Sequence, residues 1–469
     1  MTSPDAPPRA DERPTRVRYV VVAALAAAAA IAYLARNSIA VAADAFRADV
    51  GLSEWQMAWV ISAFFAAYAL LQVPAGWLGH VWGARRTMTA AMVAASLCTL
   101  SFALSGDLAQ GVARLWGSAA GEPVLWALAA LVISRFGMGA AQAALFPCST
   151  GTIARWFPPT RRAVANGPVL AAMSVGAAIG AALTGRLLGW LDWQTVFVAY
   201  AVPGLLWAIL VYAWFRDYPA EHRGVNSAER TLIEAGVVPV MARSPDQAIP
   251  ATEGLPGTPA AREPTPWRAL ATSPTMWWIS GQHFFRAAGY TFFGSWFADY
   301  MKKTRGISTA QSGDMTMIAM LAVVAGSLVG GTVSDYVLRR TGSRRLARQG
   351  VATASVLACF VLVMAAYFVR DAWWTVALIS LGSFCAAISG PCAYTITIDM
   401  GGRHVAAVFS VMNMAGSVGS VAFPPVAERI GNLLGWDEVL ILFGGLYLAA
   451  AICWLSLNSS GTVLDGKQQ

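Results

Sequence analysis

The chain has 469 residues, a formal net charge of +8, 57% hydrophobic and only 12% charged residues, and a positive mean hydropathy. Soluble globular chains carry about 25% charged residues, so this composition excludes a soluble domain and points to a polytopic helical membrane protein. The basic balance calls for no nucleic acid, because a positive-inside topology gathers Lys and Arg in loops and tails.

Residues 1–16 form a polar, Pro-rich tail rather than a cleavable signal peptide, since the apolar run that follows is too long for one. Twelve spans then read along the chain. The first six cover about 17–43, 55–79, 87–105, 125–153, 163–189 and 194–215. The second six cover about 274–298, 314–334, 349–369, 373–397, 405–427 and 438–457. Each is long enough to cross the hydrocarbon core as a helix. With the N-terminus inside, cytoplasmic segments hold Arg9, Arg13, Arg16, Arg18, Arg85, Arg86, Arg155, Arg161, Arg162, Arg339, Arg340, Arg344, Arg345, Arg348 and Arg403. The opposite face holds Arg47, Arg114, Lys302, Lys303, Arg305 and Arg370. That bias places both termini in the cytoplasm and the protein in the inner (cytoplasmic) membrane.

The expected organisation is a cytoplasmic tail (1–16), a six-helix bundle (17–215), a cytoplasmic linker (216–273), a second six-helix bundle (274–457) and a C-terminal tail (458–469). In the linker, Asn226 and Glu229 form a capping pair ahead of a short helix, and Ser244 to Pro266 is rich in Pro, Gly, Ala and Thr, as a flexible linker is. The six cysteines fall inside apolar runs without paired or metal-ligand spacing. No metal and no cofactor is expected.

The halves echo each other. Gly76-Trp-Leu-Gly-His-Val-Trp-Gly83-Ala-Arg85-Arg86 closes span two, and Gly331-Thr-Val-Ser-Asp335-Tyr-Val-Leu-Arg339-Arg340 closes span eight. Arg162 and Arg403 each open a small-residue span that ends in Gly-Trp. A tandem repeat of six spans, with a site between the halves near the midplane, follows.

An arginine deep in a span is expensive, by roughly 2.5 kcal/mol or more, so it faces a protein interior or an aqueous cavity. Three occur: Arg36, Arg135 and Arg286, with no Asp or Glu away from the span ends. Three cations without an anion suit a wet cavity whose missing anion is the substrate. Arg36 and Arg135 are the expected carboxylate clamps, since a guanidinium presents a planar fork of donors matched to a carboxylate. Snorkelling to the nearer interface is the plainer reading of Arg36 taken alone.

On span four, Arg135, Gly139, Gln142 and Phe146 follow helical spacing and share a face. Gly139 leaves room beside the arginine and Gln142 can bond a substrate hydroxyl; helix packing through Gly137 and Gly139 accounts for the same stripe. Tyr33 lies one turn before Arg36 and is either a substrate donor or an interfacial tyrosine. On span seven, Gln282, Arg286, Gly289, Tyr290 and Phe293 share a face, and Arg286 is the expected specificity residue unless it pairs with a helix end. Asn413, with Ser410 and Ser417, is a weaker hydroxyl-binding set that could equally bridge helices.

The Gly-rich turn with Arg85 and Arg86, its repeat at Gly331 to Arg340 and the central linker resemble the major facilitator superfamily. Tyr33-x-x-Arg36 with Leu52-Ser-x-x-Gln56, then Arg135-Phe136-x-x-Gly139-x-x-Gln142-Ala143-x-x-Phe146-Pro147, then Trp296 to Tyr300, resemble its anion:cation symporter branch. The resemblance implies twelve helices, no enzyme activity and alternating-access symport of organic anions with protons. It makes Gly76, Gly83, Arg85, Arg86, Asp335, Arg339 and Arg340 a conformational gate. It also marks departures: His80 and Val81 stand where the first turn usually has an Asp-Arg pair, Ala35 where the branch often has an aspartate, and Gln142 where it usually has a glutamate.

A small organic anion (a sugar acid or related carboxylate), protons and the lipid bilayer are the expected partners of a monomeric protein. Coupling protons ride on His283 or on the substrate's own carboxyl group, or else the protein is an anion exchanger, uniporter or exporter without a proton site. A transporter-like anion sensor is the remaining class; such a sensor usually carries a structured output domain, and the linker and tail are short for one.

Overall fold

The computed structural model describes residues 13–107, 123–235, 265–293, 297–459 and 461–463. Arg9, Arg114, Trp296, linker residues 236–264, tail residues 460 and 464–469 and the side chains of Asp299 and Arg403 lie outside the described residues. Those described are helical and loop residues, with no strand among them. The long helices α1 (Val17–Val50), α2 (Glu54–Trp82) and α3 (Ala84–Ala103) are followed by α4 (Pro123–Gln142), α5 (Leu145–Trp156), α6 (Arg162–Leu187) and α7 (Trp193–Trp214). Short helices α8 (Ser227–Ala235) and α9 (Trp267–Thr272) precede α10 (Pro274–Thr291), α11 (Phe297–Arg305) and α12 (Thr309–Thr341). The chain closes with α13 (Val351–Phe368), α14 (Ala372–Gly401), α15 (Val405–Leu433) and α16 (Glu438–Ser456).

Eleven segments among the described residues are long and apolar enough to cross a membrane. The twelfth expected span contains α10, which is not one of them. Its 18 residues include Gln282, His283 and Arg286, polar groups that dilute its apolarity. Span four is divided. Pro147 lacks the N–H that would bond the Ala143 carbonyl and its ring crowds that carbonyl, and the helix breaks at residues 143–144.

The repeat is visible in the starts and the packing of the helices. Ser53 and Gln56 form a reciprocal capping box at the start of α2, and Ser308 and Gln311 form the same box at the start of α12. Helix α2 packs on α4, α3 on α4 and α3 on α7; in the second half α12 packs on α14, α13 on α14 and α13 on α16. The described residues group into two compact units. The smaller is Ala26–Cys148 with Ala172–Trp214, and the larger is Met1–Leu25, Ser149–Ala171 and Phe215–Gln469.

The larger unit is tied by a buried ion network. Arg348, with its side chain fully buried, donates through Nη1 to Asp335 Oδ1 (2.7 Å) and Ser334 Oγ (2.7 Å), and through Nε to Asp399 Oδ2 (3.1 Å). Its Nη2 bonds the Pro159 carbonyl at 2.9 Å. Asp399 Oδ1 accepts from Arg162 Nη1 (3.1 Å), and Asp335 Oδ2 from the Val164 N–H (2.8 Å). Two arginines thus face two aspartates, and the segment between α5 and α6 is bound to α12 and α14. Arg162, expected where span five opens, is half-buried, while Arg348 and the carboxylate of Asp399 are buried, and all three belong to this charge-balanced cluster.

A second tie holds the start of α1. Asn226 caps α8, accepting from the Glu229 N–H at 3.0 Å. The Glu229 side chain does not turn back to complete a capping box. It is fully buried and accepts from the Thr15 hydroxyl, the Val17 N–H (3.0 Å), the Arg18 N–H (3.2 Å) and Arg18 Nη1 (2.9 Å). A carboxylate at the N-terminal turn of α1 satisfies its orphan N–H groups and complements the helix dipole.

Asp399→Asn is expected to lower stability by about 3–5 kcal/mol, because it leaves a buried cation short of an anion; thermal melting in detergent checks this. Glu234→Gln, which breaks the half-exposed Arg230–Glu234 pair, should shift stability by no more than about 0.5 kcal/mol. Glu229→Ala should cost about 1–3 kcal/mol locally, read as faster hydrogen exchange in the peptide covering residues 13–20 with the rest of the chain unchanged.

Candidate anion-binding site

In the smaller unit, α1 presents Tyr33 and Arg36 one turn apart. The Arg36 guanidinium lies against four rings: Phe64 at 4.7 Å, Phe65 at 4.8 Å, Tyr68 at 5.0 Å and Tyr33 at 5.1 Å to the centroids. Phe64 and Tyr68, one turn apart on α2, are stacked at 5.8 Å. Among the described residues Arg36 has no carboxylate and no hydrogen-bond acceptor, so π faces alone meet its charge.

Arg135 on α4 is 2% exposed, and its guanidinium lies 4.8 Å from the centroid of the same Phe64 ring. Its Nη1 meets Met138 Sδ at 3.3 Å, and its Nε has no partner among the described residues. Two guanidiniums therefore share one buried ring, which puts their central carbons at most about 9.5 Å apart, and like charges at that range repel. The acidic residues of this unit's sequence, Asp44, Asp49, Glu54, Asp107, Glu122 and Asp192, all lie at or near span ends. An anion that joins the two cations relieves that repulsion.

The neighbours on α4 are engaged in packing. Gly139 is pressed against the backbone carbonyl of Phe64, where a Cβ would collide. The space it leaves is filled by α2, so it sets how closely the arginine-bearing helix approaches the aromatic one. Gln142 is 3% exposed and donates through Nε2 to the Ala32 carbonyl at 3.3 Å, tying α4 to α1. Phe146, across the helix break, meets Tyr33 edge-on at 6.1 Å.

In the larger unit, Arg286 Nη2 lies 3.1 Å from His283 Nδ1, and His283 Nε2 lies 3.3 Å from Asn413 Oδ1 on α15. A guanidinium can only donate, so Nδ1 accepts and the ring proton sits on Nε2, facing Asn413. Gln282 is fully buried and donates to the Ile279 carbonyl at 2.9 Å. Tyr290 is half-buried, and Gly289 abuts the Tyr447 ring of α16. Ser410 and Ser417 donate to the carbonyls of Ala406 and Asn413 in their own helix.

The residues expected to form a gate differ between the two Gly-rich turns. Gly83 joins α2 to α3 with φ +86°, a conformation that suits glycine. Arg85 donates to the Tyr212 carbonyl at the end of α7 and lies 4.5 Å over that ring, while Arg86 is exposed and Gly76 buried. In the second copy Asp335 joins the ion network, Arg339 donates to the Thr160 carbonyl (3.2 Å) and Arg340 lies 5.5 Å over Tyr336. Among the described residues no cluster of His, Cys, Asp and Glu is arranged to hold a metal.

The sequence reading brought Tyr33, Arg36, Arg135 and Gln142 into one unit but missed Phe64, Phe65 and Tyr68. The signal was present as Phe64-Phe65-Ala-Ala-Tyr68, an aromatic cluster at helical spacing in the span after Arg36. Such stripes ordinarily mean core, and only the fold shows that a cation lies on their faces.

The sequence profile of the Major Facilitator Superfamily matches residues 25–340 and again residues 279–467. A probable sulfoacetate transporter, SauU, of Cupriavidus necator is 27% identical over 96% of this chain and 95% of its own length. A probable galactarate/D-glucarate transporter, GudP, of Bacillus subtilis is 27% identical over 94% of this chain and 92% of its own. The solved proton:xylose symporter XylE matches with a TM-score of 0.66 over 94% of this chain and 96% of its own; at 14% identity that likeness shows the fold alone. The relatives agree with the resemblance to organic-anion permeases read from the motifs. Matched over most of its length, this chain belongs to the Major Facilitator Superfamily and is an integral membrane transporter rather than an enzyme.

Proposed function

We propose that the protein is a secondary transporter of small organic anions, sugar acids or related carboxylates, working by alternating access in the cytoplasmic membrane as a monomer with both termini inside. The observation that carries this is the pair of guanidiniums on the Phe64 ring with no carboxylate beside them among the described residues. Arg36 and Arg135 clamp the anion, and Tyr33 donates its hydroxyl. Gln282, Arg286, Tyr290 and Asn413 are the proposed substrate contacts of the second half, and Gln142 is one through the face it turns from Ala32. The helices of residues 17–215 and 274–457 are the proposed moving halves, with the two Gly-rich turns as their gate. The relatives named for sulfoacetate and for galactarate and D-glucarate support an anionic substrate.

A monoanion entering a negative cell opposes about 2.3 kcal/mol per 100 mV, so uptake draws on a co-transported cation or an outgoing anion. Proton symport is the first reading, with His283 or the substrate carboxyl as carrier. Anion exchange is the second, favoured by Ala35 and Gln142 at the positions where the branch often has acids and by the engagement of both His283 ring nitrogens.

In proteoliposomes, Arg36→Lys and Arg135→Lys are each expected to cut organic-anion uptake at least tenfold with an unchanged melting temperature, since lysine cannot reproduce a guanidinium fork. Wild-type uptake by both variants would sink the clamp. An inward proton gradient should accelerate uptake under symport. Under exchange, an anion loaded inside the vesicle accelerates it and the gradient does not.

A further inference from the structure

We infer that His283 is a positioning residue, a neutral imidazole that holds the Arg286 guanidinium ready for the anion, and that it does not carry the coupling proton. This rests on the proposed substrate contact at Arg286 and deepens it. Every group involved belongs to the larger unit.

A neutral imidazole has one N–H donor and one lone pair. His283 and Arg286 lie one turn apart on α10, and Arg286 Nη2 meets His283 Nδ1 at 3.1 Å. A guanidinium only donates, so this contact takes the lone pair, and the remaining ring N–H faces Asn413 Oδ1 at 3.3 Å. A proton can add to His283 only at that lone pair, where it would meet an N–H of a cation. Neither bond uses up the partner, since a guanidinium carries five N–H donors and an amide keeps its NH2 group.

The ring is also fixed on its other sides. Asn413 and Gly416 are one turn apart on α15, and a Cβ at Gly416 would collide with Cδ2 and Nε2 of the imidazole. The Tyr394 ring of α14 lies 6.2 Å away, centroid to centroid. His283 is 4% exposed and Arg286 only half-buried, so the imidazole supports the guanidinium from the protein side. Besides Arg286 and Tyr394, the titratable groups nearest this part of α10 are its own Tyr290, and Tyr447 and Cys453 of α16, which abut Gly289 and Gly281. The acids of α14, α15 and α16, which are Asp399, Glu428 and Glu438, lie at or near helix ends. No carboxylate in the middle turns of these helices offsets a second positive charge beside Arg286.

The test uses the full-length protein with succinate, galactarate and sulfoacetate as probes, in detergent for binding and in proteoliposomes for uptake. His283→Leu removes the acceptor and is expected to weaken probe binding at least about tenfold at an unchanged melting temperature. His283→Asn returns an acceptor oxygen to the place of Nδ1 but carries no proton. It is expected to rescue most of the lost affinity and to respond to an inward proton gradient as the wild type does. Gly416→Ala drives the ring from its seat and should repeat the loss; it decides the matter if His283→Leu does not fold. Wild-type binding by His283→Leu or Gly416→Ala overturns the inference. So does His283→Asn that stays as weak as His283→Leu, or that loses a gradient response while anion exchange persists, which makes His283 the carrier. Binding of none of the three probes by the wild type overturns the anion site itself, and the inference with it.

Discussion

Two guanidiniums resting on one phenylalanine ring is the arrangement on which the rest of the site depends. Arg36 and Arg135 come from different helices, and Phe64 on a third lies within 5 Å of both. Their mutual repulsion is met by ring quadrupoles and a methionine sulfur, neither of which neutralises charge. A buried cation without an anion is costly in a dry interior. An anionic substrate, as proposed, would complete the balance.

Elsewhere the chain does neutralise its buried arginines. Arg162 and Arg348 meet Asp335 and Asp399 at hydrogen-bond distance, and Arg18 meets Glu229. Those pairs bind helix ends and connecting segments of the larger unit to one another, whereas among the described residues the Arg36 and Arg135 pair meets π faces and one methionine sulfur but no carboxylate. The contrast separates two uses of the same side chain. Compensated arginines tie segments together, and the uncompensated pair is the one proposed to take the anion.

The helix-bearing segments were legible because a span must carry about 20 apolar residues and polar loops must punctuate them. The repeat was legible in the two Gly-rich turns, and the paired capping boxes at Ser53 and Ser308 strengthen it. The division of span four at residues 143–144 was written in Pro147 but was not read, because proline often only kinks a membrane helix. The Glu229 carboxylate was assigned to a local capping box, and a contact more than 200 residues away in sequence claimed it. Local spacing can propose such a pairing but cannot weigh it against a distant one.

By itself the sequence determined the class of protein, its helical membrane-spanning character and which side chains were anomalous. An ionised group in an apolar run is costly wherever the run packs, so Arg36, Arg135 and Arg286 stood out before any fold was known. Only the tertiary structure decided which anomalies are balanced and by what. Whether Gln142 faces a ligand or the Ala32 carbonyl, and whether Phe64 fills a core or carries two cations, depends on helices that meet only on folding. Hydrogen bonds and ion pairs act over a few ångströms, and neighbours at that range are set by packing rather than by position in the chain.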